Sequence, residues 1–242
     1  MDLITEQRLA RRESILEAAR QMIAEVGYEA VTVRDLAERC RVSVPTLYNQ
    51  FGGKDGVLSA AIESQLTSVL NGAPLSGAKP GFARLLAVVD ACAEQLLALS
   101  AYHQRLLEAF ASLDSTASIQ QRVAQQLTSV MCQELTRMQG SRQLASWAAP
   151  QLLAEQMTSA CIGAAIVWSS GLHDDRYLQP AMRYATGLVL LGVARGAPAK
   201  TLQQRVEAAQ EVLMRDRTAV LAGEDSSEGP AVTPASSTGK KT

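Results

Sequence analysis

Residues 32–58, TVRDLAERCRVSVPTLYNQFGGKDGVL, carry the pattern that decides the fold. Thr32 is a favourable N-cap, and the apolar residues after it recur at helical spacing. Residues 41–44 interrupt that helix, and Pro45 stands where the first turn of a new helix tolerates proline. The stretch therefore predicts a helix, a tight turn, a second short helix and, after a Gly-Gly pair, the start of another helix.

The second of these helices is predicted to present small polar and aromatic groups outward. Leu47 and Phe51 form its buried face, which leaves Thr46, Tyr48 and Asn49 exposed. A short, rigid helix with such an outer face suits the major groove of DNA. The spacing therefore indicates a helix-turn-helix DNA-binding module.

The stretch closely resembles the N-terminal DNA-binding module of the tetracycline-repressor (TetR) family of bacterial regulators. The resemblance covers about residues 10–58, and the matching positions are Thr32, Val33, Leu36, Ala37, Val42, Ser43, Thr46, Leu47, Tyr48, Phe51, Lys54, Asp55 and Leu58. The preceding helix also fits, because its apolar stripe ends at Gly27, a typical C′ residue. That stripe consists of Ile15, Ala18, Ala19, Met22 and Val26.

Three residues depart from the family pattern. Arg41 stands in the turn where many members have Gly, and a left-handed residue with a side chain costs about 1 kcal/mol. Pro45 replaces Gly or Ala and removes a backbone donor at the start of the second helix. Gln50 replaces a common His and still donates and accepts hydrogen bonds. We expect these departures to affect the base preference and to leave the fold intact.

Composition predicts an all-α protein. The chain of 242 residues is 47% apolar but only 4% aromatic, and its periodicity is helical throughout. We find no apolar run of 18 or more residues and therefore expect no membrane span. The N-terminus lacks the apolar segment of a secretion signal, so we expect a cytoplasmic protein.

The helices after the module are predicted near 54–70, 81–99, 101–113, 115–139, 149–170, 175–195 and 199–221. This pattern predicts an N-terminal three-helix DNA-binding domain at 1–54 and a helical effector-binding and dimerisation domain at 55–221. Residues 222–242 are polar and rich in Pro, Ser and Gly, and we expect them to be disordered.

The charge balance is unusual for a nucleic-acid binder. The net charge is −1, and residues 1–54 carry eight acidic and eight basic side chains. The basic residues in or beside the module are Arg8, Arg11, Arg12, Arg34, Arg39, Arg41 and Lys54. The first three form either a flexible arm near the minor groove or the DNA backbone, or a solvated helix start. We expect modest non-specific affinity for DNA that depends strongly on salt.

The residues predicted to contact DNA have distinct roles. Tyr48 reaches a phosphate with its hydroxyl, Lys54 supplies a charged phosphate contact, and Thr32 caps a helix whose N-terminus faces a phosphate. Three residues form the expected groove-facing set, and three more belong to the site as further candidates. The groove-facing set is Ser43, Thr46 and Asn49, and the further candidates are Arg34, Arg41 and Pro45.

The segments 157–168 and 185–194 are apolar almost all round and rich in small residues. A helix that is apolar on every side must be buried on every side, which fits either a dimer interface or a central core pair. In the resembling family the last two long helices form a four-helix dimer interface. The contacts expected on that basis are Ala160, Gly163, Ala164, Gly187, Leu191 and Ala194.

The family resemblance also implies a small-molecule pocket behind the DNA-binding module. The candidate lining carries few charges, so we expect an apolar or weakly polar effector. The candidates are Val89, Cys92, Leu96, Tyr102, His103, Leu106, Phe110, Met131, Trp147, Met157, Cys161 and Trp168.

Nothing in the sequence predicts catalysis, a metal or a cofactor. The four cysteines are widely spaced, only two histidines occur, and no metal-ligand or nucleophile motif is present. The sequence therefore predicts a homodimeric transcriptional regulator that acts as a repressor on an inverted-repeat operator in double-stranded DNA and is released by a small apolar effector. The alternatives are a helical small-molecule-binding protein without sequence-specific DNA binding and a scaffold protein with a hetero-partner.

Overall fold

The computed structural model describes residues 3–71, 77–112 and 117–224, and the side chains of 5–65, 77–108 and 120–217. The described residues form ten α-helices and no β-strand: α1 Leu3–Val26, α2 Val33–Arg39, α3 Val44–Phe51, α4 Lys54–Asn71, α5 Phe82–Ala98, α6 Ser100–Ser112, α7 Ala117–Gly140, α8 Pro150–Ser169, α9 Asp175–Leu191 and α10 Ala197–Glu224. The all-α prediction is confirmed, and the predicted helix ends differ from these by up to four residues. Residues 222–224, which were predicted to belong to the disordered tail, continue α10, and the rest of that tail, 225–242, lies outside the described residues.

Local signals set several helix ends. Gly27 follows α1 with φ +80°, and its N–H donates to the Ile23 carbonyl at 2.9 Å. Thr32 caps α2 by accepting from the Asp35 N–H at 3.1 Å. Asp174 caps α9 by accepting from the Arg176 N–H at 2.8 Å. These caps satisfy backbone groups that a helix end leaves without intrahelical partners.

An N-terminal core joins α1–α4 with part of α6. Its buried residues are Ile15, Leu16, Ala19, Met22, Ile23, Tyr28, Val31, Leu36, Ala37, Leu47, Val57, Leu58, Ala60, Ala61, Ile62, Tyr102 and Leu106. Val26 was predicted to belong to the apolar stripe of α1, but its side chain is 56% exposed. Ile23 and Tyr28 are buried at this end of the core instead.

A C-terminal core joins α5, α7, α8, α9 and α10. Its most deeply buried side chains are Leu85, Val88, Met131, Leu135, Met138, Ala154, Met157, Trp168, Leu178 and Leu190. Asp90 of α5 reinforces the packing, because its carboxylate accepts from Arg183 of α9 at 2.7 Å and Arg205 of α10 at 2.8 Å. Both cores are mainly apolar and depend on contacts between distant parts of the chain.

Polar contacts tie α4 to helices on both sides of it. Arg122 of α7 pairs with Glu63 of α4, with Nη1 and Oε1 3.2 Å apart, and also donates to Ser59. Ser64 of α4 donates to the Glu13 carboxylate of α1 at 3.3 Å. α4 therefore connects the DNA-binding module to the C-terminal bundle.

Helix α8 lies at the centre of that bundle. It packs against α6, α7 and α9, and eight of its residues are buried. By length and composition alone it meets the requirement for a membrane span, although only 44% of its 18-residue window is buried in this chain. This property does not contradict the expectation of no membrane span, which stays a prediction. Central helices of helical bundles pass the same test, because they too are apolar on most sides.

Candidate nucleic-acid interface and effector region

The turn between α2 and α3 has the strained residue that the sequence predicted. Arg41 adopts φ +54°, a left-handed conformation that is uncommon for a residue with a side chain. Two backbone hydrogen bonds hold the turn, Arg41 N–H to the Glu38 carbonyl at 3.1 Å and Val42 N–H to the Ala37 carbonyl at 2.9 Å. The turn thus sets the direction in which α3 leaves α2.

Helix α3 is short and closed at both ends. Ser43 accepts from the Thr46 N–H at 3.2 Å, Pro45 lies in the first turn, and Gly52 ends the helix with φ +79°. Leu47 is completely buried and anchors the helix to the N-terminal core. A capped helix with one deep anchor can present its outer side chains with little freedom.

The exposed face of α3 consists of Pro45, Tyr48 and Asn49, with Gln50 beside it. Residues three and four apart share one side of a helix, so the first three form a continuous surface. Tyr48 is 53% exposed, and its ring lies against Gly53, where an added Cβ would be 3.4 Å from Cε1. This packing orients the phenol without burying its hydroxyl. We call this face, together with Arg34 and Arg41, the recognition surface.

Two residues of the predicted groove-facing set, Ser43 and Thr46, use their hydroxyls in the N-terminal cap of α3. The hydroxyls of Ser43 and Thr46 are 2.7 Å apart and share a hydrogen bond. Thr46 is half-buried, so it projects less than the sequence suggested, whereas Asn49 is exposed. Among these three residues, Asn49 presents the group best placed to reach a base edge.

The basic side chains divide into paired and unpaired groups. Arg39 is held by Glu25 through two hydrogen bonds of 2.6 and 2.7 Å, and this pairing lowers the pKa of the Glu25 carboxyl. Arg34 and Arg41 are exposed and have no ion pair within the described part of the chain. Arg12 lies over the Phe51 ring, 5.0 Å from its centroid. Two of the cations without an ion pair are therefore close to α3 in the fold, Arg41 in the turn that precedes it and Arg34 on α2, which contacts it.

The N-terminal arginines lie on a helix, because α1 already begins at Leu3. Arg8 and Arg11 are exposed on this helix, as the second alternative has it, whereas Arg12 is half-buried over Phe51.

Lys54 makes contacts within its own domain. Its Nζ donates to the Glu29 carbonyl at 3.1 Å and lies 4.2 Å from the centroid of the Tyr28 ring. Tyr28 in turn donates to the Asp55 carboxylate. Burial lowers the pKa of the Lys54 ammonium and raises that of the Tyr28 hydroxyl. Lys54 therefore fixes the start of α4, and a phosphate would have to compete for its charge.

The predicted effector-lining residues fall into two groups. Cys92, Leu96, Met157, Cys161 and Trp168 belong to or pack against the C-terminal core. Tyr102 and Leu106 belong to the N-terminal core. His103 is buried next to Tyr102, with the two ring centroids 4.8 Å apart. α6 therefore faces the DNA-binding module as well as the bundle.

Individual members of this lining have clear structural roles. Trp168 is completely buried, and its indole N–H donates to Asp175 at 3.0 Å. Burial raises the pKa of the Cys92 thiol to about 12. Burial also raises the pKa of the Cys161 thiol, and the neighbouring Cys92 adds to that increase. Both cysteines are therefore neutral thiols that fill core space.

One lining prediction was wrong and one lies beyond the described side chains. Trp147 is 74% exposed, because it lies in the loop between α7 and α8, outside the bundle. It does not line an enclosed cavity of this chain. The side chain of Phe110 lies outside the described residues.

The predicted dimer contacts also divide. Gly163 is exposed, with no atom within 4 Å of an added Cβ, whereas Ala164 is buried and Ala160 and Leu191 are half-buried. Gly187 and Ala194 are buried within the chain. An added Cβ on Gly187 would lie 2.3 Å from Val206 of α10, so its small size lets α9 and α10 approach closely. Ala194 forms the isolated β-bridge with Leu144. These two residues therefore serve contacts inside the chain.

Sequence reasoning missed two residues. Arg20 is a charged residue of α1 that is only 7% exposed. It directly follows Ala19 of the apolar stripe, and this position in the helix was the signal that could have predicted its burial. Gly56, in the first turn of α4, lies so close to α3 that an added Cβ would be 1.6 Å from the Phe51 carbonyl oxygen. The described residues contain no cluster of three or more His, Cys, Asp or Glu side chains suited to a metal ion.

Comparisons with known proteins agree with this geometry. Residues 15–61 match the model of the family described as bacterial regulatory proteins, tetR family. The tetracycline repressor protein class C of Escherichia coli is 40% identical over 57 residues, which span 24% of this chain and 26% of that repressor. The transcriptional repressor KstR2 of Mycobacterium tuberculosis is 30% identical over 129 residues, which span 53% of this chain and 58% of KstR2.

The fold extends the likeness beyond the DNA-binding module. SmeT, the repressor of the Stenotrophomonas maltophilia multidrug efflux pump SmeDEF, has been solved in complex with triclosan. That structure superposes with a TM-score of 0.60 at 18% identity and covers 78% of this chain and 94% of SmeT. Residues 15–61 therefore match the N-terminal DNA-binding module of the TetR family, the chain spans little more than half the length of KstR2, and its all-α fold is shared with SmeT.

Proposed function

We propose that this protein is a ligand-responsive repressor that binds an inverted-repeat operator as a homodimer and is released by a small, mainly apolar effector. The observation that carries the proposal is the recognition surface, where a capped α3 exposes Tyr48 and Asn49 beside the unpaired Arg34 and Arg41. Unpaired cations beside a rigid, polar helix face suit a nucleic-acid partner.

Each part of the recognition surface has a proposed task. The Tyr48 hydroxyl donates to a phosphate and fixes the register of α3. Asn49 reads a base edge, for which adenine is the matching base because the amide both donates and accepts. Arg34 and Arg41 neutralise phosphates. Ser43 and Thr46 act indirectly, because their shared hydrogen bond holds the start of α3.

The dimer is proposed to form through the exposed face of α8 with part of α9. This face is apolar and includes Ile166, 46% exposed, Leu188, 49% exposed, and the open position at Gly163. Large apolar residues exposed together mark an interaction surface, and a small residue such as Gly163 allows two helices to approach. A twofold dimer would place its two α3 helices about 34 Å apart, one DNA turn.

The effector is proposed to act through helices that contact both cores. α6 contributes to the N-terminal core, and α4 is tied to both α1 and α7. A ligand that favours one arrangement of these helices changes the spacing of the recognition surfaces. A coupling free energy of about 1–3 kcal/mol would change operator affinity roughly 5- to 150-fold.

The test is footprinting of the purified protein on the DNA upstream of its own gene, followed by affinity measurements at two salt concentrations. We expect protection of an inverted repeat. Tyr48→Phe should weaken binding roughly five- to tenfold, since it removes only the hydroxyl, and Tyr48→Ala should weaken it further. Tyr184→Phe, a matched change on α9, should bind like the wild type.

Two results would contradict this proposal. Diffuse, salt-labile binding that is equal in all variants would favour the helical small-molecule-binding alternative. For the dimer, sedimentation should show a monomer for Ile166→Glu and an unchanged dimer for Leu99→Glu, a similar change at an apolar residue that is 38% exposed at the end of α5. Equal behaviour of these two variants would remove the α8 face as the interface.

A further inference from the structure

Arg20 is the one residue of α1 that carries a buried charge among those described. Its side chain is 8% exposed and pairs with Glu13 at 2.7 Å and Glu17 at 2.9 Å. These pairs use Nη2 and Nε, whereas Nη1 is buried and has no hydrogen-bond partner. One N–H group of a buried guanidinium is therefore left without an acceptor.

A second buried donor without a partner lies on α6, the helix that packs against α1. Tyr102 is 2% exposed, and its hydroxyl has no hydrogen-bond partner in the described part of the chain. Burial raises the pKa of this hydroxyl, and the charge of Arg20 partly opposes that effect. Tyr102 is therefore neutral at physiological pH, and its O–H is available to donate.

His103 completes the polar group at this seam between α1 and α6. Its Nδ1 lies 3.0 Å from the Leu96 carbonyl oxygen, and because a carbonyl only accepts, Nδ1 carries the proton. Burial lowers the pKa of His103 to about 4, with a contribution from Arg20. Arg20 on α1 and Tyr102 and His103 on α6 are all buried where these two helices pack together, and the ring centroids of Tyr102 and His103 lie 4.8 Å apart.

Buried polar groups in native proteins nearly always have partners, so two unpaired donors in one seam point to an acceptor that the chain does not supply. We propose that Arg20 and Tyr102 form a binding site at the α1–α6 seam for a neutral carbonyl oxygen of an otherwise apolar effector. One carbonyl oxygen has two lone pairs and accepts from both donors. The surrounding N-terminal core, with Leu16 and Leu106, suits the apolar remainder of such a molecule.

The charges around the site favour binding of a ketone or ester over binding of a carboxylic acid. The charge of Arg20 is already balanced by Glu13 and Glu17, and His103 is neutral. A carboxylate would bring a third negative charge to one guanidinium and lose its hydration as well. A neutral carbonyl gains the same two hydrogen bonds without that penalty.

The site would act directly on the DNA-binding module. Glu13 accepts from Arg20 and also from Ser64 of α4, so a change at Arg20 reaches α4 through one carboxylate. The assignment rests on the proposed effector function and specifies the chemical class of the effector. Its test uses ligand binding without DNA, so that its outcome is independent of the operator experiment.

The probes are a medium-chain methyl ketone, the carboxylic acid of the same length and the corresponding alkane, each measured by calorimetry and by the shift in Tm. We expect the ketone to bind the wild-type protein more tightly than the acid or the alkane. Tyr102→Phe and Arg20→Met should each weaken ketone binding roughly five- to tenfold. Tyr184→Phe should leave it unchanged.

The stability of the free protein gives a second, independent readout. If the Tyr102 hydroxyl has no partner in the fold, Tyr102→Phe should leave the Tm of the free protein unchanged or raise it. A lower Tm would mean that the fold itself uses the hydroxyl and would overturn the proposal. Ketone binding that is absent, equal in all variants or weaker than acid binding would overturn it as well.

Discussion

Helices α3 and α8 are stabilised in opposite ways, α3 by its caps and α8 by burial of its side chains. α3 spans eight residues and has one buried side chain, Leu47, whereas α8 spans twenty residues and has eight. α3 is held by caps at both ends, while the N-cap of α8, Ala149, offers no side-chain hydrogen bond. A helix that must expose a binding face depends on local caps, and a central helix depends on its neighbours.

The difference predicts where each helix is vulnerable. Changes at the ends of α3 should disturb the recognition surface and leave the bundle intact. Changes at the close contacts of α8, α9 and α10 should lower global stability and affect DNA binding only through the fold. Four changes test this contrast, in order of decreasing effect.

Gly56→Ala should have the largest effect. The new Cβ would lie 1.6 Å from the Phe51 carbonyl oxygen, so the backbone of α3 and α4 must separate, at a cost above about 4 kcal/mol. We expect loss of operator binding and a large decrease in Tm by calorimetry. Gly140→Ala, where nothing lies within 4 Å of the new Cβ, is the control and should be neutral or slightly stabilising. Equal effects of the two changes would contradict the close approach at Gly56.

Acidification should destabilise the seam between α1 and α6 through His103. Its pKa falls from 6.5 to about 4 in the fold because burial disfavours the charged form. Above pH 6.5 both folded and unfolded His103 are neutral, and between pH 6.5 and 4 only the unfolded chain binds the proton. The free energy of unfolding should therefore decrease as the pH falls through this window, by up to about 3 kcal/mol.

Urea unfolding at several pH values measures this effect. The acidic residues of the chain also titrate in the same range, so the comparison is with His103→Gln. The difference in stability between the two proteins should shrink as the pH falls from 6.5 to 4. A difference that stays constant would show that His103 is protonated equally in both states.

Gly187→Ala should have an intermediate effect that is confined to stability. The new methyl group meets Val206 Cγ2 at 2.3 Å, and overpacking of this kind costs about 1–3 kcal/mol. Val206→Ala removes the atom that clashes, so the double variant should recover part of the loss in a double-mutant cycle. If the losses in unfolding free energy of the two single variants simply add in the double variant, Val206 does not contact residue 187.

Ser43→Ala should have the smallest effect on stability and a selective effect on DNA. It removes the cap of α3 and the partner of the Thr46 hydroxyl, which costs about 1 kcal/mol. Operator affinity should fall although the bundle is unchanged. Ser146→Ala, at an exposed loop residue, is the matched control. A lower Tm of Ser43→Ala without weaker operator binding would show that DNA recognition does not depend on the cap.

Much of the fold was predictable because its signals are local. The cap at Thr32, the turn at Arg41 and the glycine at Gly27 each act within a few residues, so they can be read from the sequence. The exposure of Tyr48 followed from helical periodicity in the same way. Val26 and Trp147 were misplaced because their burial depends on the angle at which a helix or loop meets the bundle.

The amino-acid sequence by itself determined the helices, the turn before α3 and the composition of its outer face, because hydrogen bonds and steric limits within a few residues decide these features. Tertiary structure alone decided that Gly187 faces α10, that Lys54 contacts Tyr28 and that Arg20 and Tyr102 are both buried where α1 packs against α6. Those contacts join residues far apart in the chain, and the packing of whole helices brings them together.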